Sequence, residues 1–153
     1  MDTTALRRAY EKFLDVAATP GLGEAADGGW NADQVLAHVL SVDAATAAVA
    51  LGVVSGSRPG FDNRICLDGP NLDRIIAEHS GRADLIAHVR SQAGVLCDLT
   101  DQLSDKAAAV LVPVFLMSGD ELLLDRPLPL AALIDGLADN HLPVHTRQLA
   151  GLG

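Results

Sequence analysis

Apolar residues recur at helical spacing in four long stretches of the chain, with glycine and proline between them. From Thr4 to about Ala18, Leu6, Tyr10, Phe13, Leu14 and Ala17 make one amphipathic stripe, which Thr19-Pro20-Gly21 ends. The second stretch has the clearest start. Asn31 suits an N-cap, Gln34 completes a capping box, and Trp30 and Val35 have the spacing of a hydrophobic staple. Its stripe reads Val35, His38, Val42, Ala45, Val49 and Val53, running to about Val54. The third runs from Arg82 to Leu103 through Leu85, Val89, Ala93, Leu96 and Leu99; Gly94 either weakens it or marks a close contact. The fourth, about Leu130 to Leu149, follows Pro127 and Pro129.

Two segments fall outside this period. A long connection from Gly56 to about Pro70 carries Cys66 and leads into a short helix after Asn71. Val110 to Leu130 is β-like: Val110 to Met117 reads as a strand, Ser118-Gly119-Asp120 as a turn, and Glu121 to Leu124 as a return. An irregular hairpin or lid is expected there, with Pro113 confining the first strand to a sheet edge. The expected architecture is all-α: a single domain over residues 1–153, a four-helix bundle with a long crossover and a small β-hairpin-like insertion before the last helix.

Only 3% of the residues are aromatic, so the core must come from Leu, Val, Ile and Ala. The net charge of −9 and the absence of a Lys/Arg cluster argue against nucleic acid and anionic membranes as partners. No apolar run reaches the roughly 20 residues of a membrane-spanning helix, and no signal-peptide pattern opens the chain. Cys66 and Cys97 form neither a CxxC pair nor a disulfide framework, which suits a cytoplasmic protein.

The candidate chemistry lies where histidines interrupt the core stripes. In the last helix the inner face reads Leu130, Leu133, Ile134, Leu137, then His141, His145 and Gln148. His141 and His145 are one turn apart, about 5–6 Å between Cβ atoms, the spacing with which helical zinc sites bring two imidazoles onto one ion. His38 breaks the second stripe in the same way. Buried imidazoles need partners, so the three are either hydrogen-bonded core histidines or ligands of one divalent metal. Pro143 lies between the pair and presses its ring on the carbonyl of Asp139, either aiming the imidazoles or merely restarting the helix.

Trp30 with Val35-Leu36-Ala37-His38-Val39, and His141-Leu142-Pro143-Val144-His145-Thr146-Arg147-Gln148-Leu149, resemble the two motifs of the DinB-like superfamily, which includes bacterial thiol S-transferases. The resemblance spans nearly the whole chain. It implies a four-helix bundle, often a homodimer, with a three-histidine metal site on which His38, His141 and His145 fall. The insertion resembles members from GC-rich Gram-positive bacteria, where the family includes enzymes that use mycothiol.

Three neutral imidazoles leave a zinc-like or nickel-like ion an open position and its full charge, and a thiol held by such an ion loses its proton. Metal-dependent transfer of a small thiol to an electrophile is therefore the leading expectation. Metal-dependent hydrolysis or isomerisation, and a metal- or ligand-binding module without turnover, are the alternatives. Asp43 and Asp139 are the nearest carboxylates in sequence; either can orient an imidazole, though counting along the helices sends both toward solvent. His79 and His88 lack a partner at ligand spacing and read as surface or capping residues. Cys66 and Cys97 read as packing, Trp30 as a staple, and Arg147 as part of a solvated face.

Overall fold

The apolar stripes do become long helices. The computed structural model describes residues 1–153 and places α1 at Thr4–Ala17, α2 at Ala32–Val54 and α5 at Arg82–Asp101. A composite final rod joins α7 (Leu130–Gly136), a π-helical turn (Leu137–His141) and α8 (Leu142–Ala150). Asn31 forms the expected capping box: its side chain accepts from the Gln34 N–H, and Gln34 Oε1 accepts from the Asn31 N–H. Asp33 in the first turn of α2 also pairs with Arg82 at 2.8 Å, tying the starts of α2 and α5 together.

The expectation of an all-α four-helix bundle is not met. The chain is 62% helical and carries a three-stranded mixed sheet as well as short helices in its connections. The crossover is structured: β1 (Phe61–Asp62) and α3 (Arg64–Leu67) occupy the loop expected from Gly56 to Pro70, and the short helix expected after Asn71 is α4 (Gly69–Ala77), which starts earlier, on the Asp68 cap. A further short helix, α6 (Asp105–Ala108), follows α5, with the Ser104 side chain as its cap.

The hairpin is longer and more regular than the sequence suggested. β2 (Leu111–Ser118) pairs antiparallel with β3 (Glu121–Pro129), with one irregularity at Leu116/Met117. Val112 and Val114 turn into the core while Leu111 and Pro113 face outward, and this period of two is what makes the segment a strand. Gly119, at φ +56°, supplies the first central position of the two-residue turn.

β2 is the central strand, not an edge, because β1 joins its far side in parallel, Phe61 opposite Val114. Pro113 is tolerated there for a geometric reason. It stands opposite Pro127, a pair that can exchange no ladder hydrogen bonds, and it precedes the β1 contact. Asn63 prolongs that contact beyond β1. Its Oδ1 accepts from the Met117 N–H and its Nδ2 donates to the Met117 carbonyl, both at 2.8 Å.

The core is continuous through all helices and the inner sheet face, with Phe13, Leu36, Leu85, Leu96, Leu130 and Leu142 among its fully enclosed side chains. By length and composition α2 is apolar enough to cross a membrane, contrary to the reading of apolar runs above. In the fold, 56% of that stretch is buried against the rest of the chain, and it holds buried His38, Asp43 and Thr46. Nothing presses on Gly94: open space lies where a Cβ would stand, so no close contact explains it.

Candidate metal centre

Two helices supply the histidines. His38 projects from the first half of α2, and His141 and His145 project from the final rod where the π turn gives way to α8. The π turn follows from Pro143. That residue has no N–H for the Asp139 carbonyl and its ring would strike it, so the backbone opens by one residue. The Leu142 N–H accordingly donates to Leu137, five residues back. This widened turn ends on His141, one residue before the helix regains its ordinary pitch.

The three rings converge. Centroids of His38 and His141 are 5.1 Å apart, those of His38 and His145 4.8 Å, and those of His141 and His145 4.6 Å. One nitrogen from each imidazole lies within 4.8 Å of the others, close enough to hold a metal ion. Between His38 Nε2 and His141 Nε2 the distance is 3.1 Å. Two imidazole nitrogens on one tetrahedral zinc ion stand roughly 3.3 Å apart, given Zn–N bonds of about 2.0–2.1 Å. The donor set therefore fits a divalent cation.

Two of the rings are held by their other nitrogen. His38 Nδ1–H donates to the Cys66 carbonyl at 2.7 Å, and His145 Nδ1–H donates to Gln148 Oε1 at 2.8 Å. Both contacts leave Nε2 with its lone pair toward the shared centre, as ligand orientation by outer partners requires. His141 differs: its Nδ1 is buried without a partner.

Burial sets the protonation of the trio. It pushes His38 down to about 4, helped by the neighbouring His145 and opposed by the Cys66 carbonyl. His141 goes well below its ordinary value, through burial first and then the other two imidazoles. His145 also falls through burial, against the pull of Gln148. Each of these shifts favours the neutral imidazole, the form that can ligate a cation.

Trp30 completes the centre, and the staple reading missed it. Its indole centroid lies 4.8 Å from that of His38 and 6.5 Å from that of His145, at 23° to the latter ring. Gln148 was legible as the next inner-face residue after His145. The Cys66 carbonyl was not, since a backbone acceptor leaves no mark on residue choice.

The remaining candidates separate cleanly. Asp139 and Arg147 are exposed, as their helical positions implied. Asp43, expected to face solvent, is fully buried; its Oδ1 accepts from the Tyr10 hydroxyl at 2.6 Å, and its Oδ2 has no partner. Burial pushes its carboxyl up to about 8, against that hydrogen bond. It contacts no imidazole of the centre through a hydrogen bond. Cys66 and Cys97 are free thiols, 0% and 1% exposed, and burial raises both, Cys97 to about 11. Neither is an activated nucleophile. His79 and His88 hold the capping and surface places expected of them, His79 Nδ1–H donating to the Ile75 carbonyl and His88 exposed, and they also meet each other between the end of α4 and α5. No family model, curated protein or solved structure matches the chain.

Proposed function

We propose that the three-histidine centre binds a divalent zinc or nickel ion and serves the transfer of a low-molecular-weight thiol, of the mycothiol kind, to an electrophilic carbon. The observation that carries this reading is the donor set: three imidazoles from two helices, each shifted toward its neutral form, with their nitrogens turned to one point. When bound, the cation supplies positive charge that neutral ligands do not cancel, and so favours the thiolate form of a thiol at the site. The nucleophile must come from the cosubstrate, because both of the chain's own thiols are buried and held protonated.

The chain's side chains act around that centre. His38 and His145 are oriented by the Cys66 carbonyl and Gln148, and with His141 they would hold the ion. Trp30 stands against one side of the centre, over His38 and His145. The sulfur forms its bond to the electrophilic carbon, the leaving group departs with its electron pair, and the thiol proton passes to solvent.

The alternatives are hydrolysis by metal-activated water and a binding module without turnover. Hydrolysis calls for a general base; of the two carboxylates nearest the ligands in sequence, Asp43 is enclosed with Tyr10 and keeps its proton up to about pH 8, and Asp139 is exposed. The resemblance to DinB-like thiol transferases supports the thiol reading through the two histidine motifs, and homodimerisation and a cytoplasmic setting belong to the same proposal.

Elemental analysis with a thiol-consumption assay tests it. One zinc or nickel ion per chain is expected at the centre, lost in the His141→Ala variant together with transfer of the thiol to an aryl halide. Thiol transfer that survives complete chelation, or a centre that takes no divalent metal, overturns the reading.

A further inference from the structure

The second histidine pair is built like the first. His79 follows the end of α4 and His88 lies on the second turn of α5; their Nε2 and Nδ1 atoms are 2.8 Å apart. Their ring centroids are 5.1 Å apart, the same as those of His38 and His141. His79 is also oriented the way His38 is, with its Nδ1–H donating to a backbone carbonyl, that of Ile75, at 2.7 Å. Its Nε2 lone pair is thereby aimed across the helix boundary at His88.

The surroundings suit a cation. Asp84, bound by the Ser80 N–H and hydroxyl, is held below the usual carboxylate range by those bonds and by both imidazoles. The one nearby guanidinium, Arg74, is taken up by Glu78 at 2.7 Å and Asn71 at 3.0 Å. The pair opens on a groove of about 400 Å³ between α2, α4 and α5, floored by Leu40, Ala44 and Ile75. Water or an exogenous ligand can complete a coordination sphere from that groove.

We propose that His79 and His88 form a second metal site, a two-histidine clip for a borderline divalent ion such as Zn²⁺, Ni²⁺ or Cu²⁺, joining the crossover helix α4 to α5. In the metal-free protein a single ring proton sits between the two nitrogens, donated by His88 Nδ1 to His79 Nε2. On binding, His88 carries that proton on its solvent-facing Nε2 instead, and both inner lone pairs turn to the ion. With two protein ligands against three, this site is the weaker of the two.

None of its residues belongs to the three-histidine centre, so the two sites fail independently. Calorimetric titration of the full chain with Zn²⁺, run beside Trp30 fluorescence, separates them, because the only tryptophan stands at the other centre. The wild type is expected to bind two ions per chain, with the fluorescence change complete after the first. His88→Ala, an exposed position that leaves the fold intact, is expected to bind one ion with the full fluorescence change. His141→Ala is expected to keep one weaker equivalent that His141→Ala/His88→Ala loses. Equal stoichiometry in the wild type and His88→Ala overturns the proposal, as does a His141→Ala protein that still folds by circular dichroism and binds no zinc.

Discussion

Asp43 makes the folding stability of this protein depend on pH in a direction opposite to that of most carboxylates. The side chain is enclosed, one oxygen accepts from Tyr10, the other meets nothing, and burial raises its carboxyl from 3.8 to about 8. Above pH 3.8 the unfolded chain has released this proton while the folded chain keeps it. The contribution is therefore complete below pH 3.8 and lost as pH rises through about 8. The three buried imidazoles run the other way: theirs is complete above 6.5 and lost as pH falls toward about 4, the value for His38. Between pH 6.5 and 8 the imidazoles of the unfolded chain still release about half of their protons, a contribution common to the wild type and an Asp43 variant, so the difference between those two proteins isolates Asp43. At about 1.4 kcal/mol per pH unit, flattening near the midpoint, Asp43's own contribution should fall by roughly 1.6 kcal/mol across that interval. Asp43→Asn replaces the acid with a neutral group of the same shape whose oxygen still accepts from Tyr10. Urea unfolding of metal-free protein, followed by circular dichroism at pH 6.5 and 8, measures the difference. The wild type should weaken by that amount relative to the variant. Parallel behaviour of the two proteins would show that Asp43 is already ionised in the folded state, and the argument from burial would be wrong.

Two further outcomes follow from the centre itself. Pro143→Ala restores an N–H that can reach the Asp139 carbonyl, which lets the ordinary helix pitch run through His141 and turns its ring away. Zinc affinity measured by calorimetry should drop by about tenfold or more, with stability to urea unchanged or improved; unaltered affinity would mean that the widened turn does not aim the ligand. Titration with Cu²⁺ or Ni²⁺ should quench most of the Trp30 emission at one equivalent, and His38→Ala should abolish the effect. Emission indifferent to either ion would remove the indole from the site.

The sequence was most informative where one face of a helix is buried and least where burial comes from all sides. The stripes of α1 and α5 stand out because each faces the core along one side, and His38, His141 and His145 were legible as interruptions of such stripes. The first half of α2 is different: Val35 through Leu40 are all buried, with Val42 and Asp43 after them. No single stripe describes a helix enclosed in this way, so counting from Val42 sent Asp43 to the wrong side. β1 is two residues long and carries no periodic signal; it exists because β2 offers it a partner, and because Asn63 just after it bonds Met117, 54 residues away. The His79–His88 contact crosses from the end of one helix to the body of another, beyond the reach of any spacing rule within one element.

The paired prolines of the hairpin decide what the sheet cannot become. Pro127 and Pro129 occupy β3 positions whose backbone turns away from β2, so the free margin of the last strand lacks amide hydrogens where a newcomer would need them. Exposed Leu122 and Leu123 lie at the other end of the same strand, by the turn, where the amide hydrogens remain. An incoming strand therefore finds the half of the margin next to α7 closed to it, and only the short stretch beside the turn keeps the donors that pairing needs.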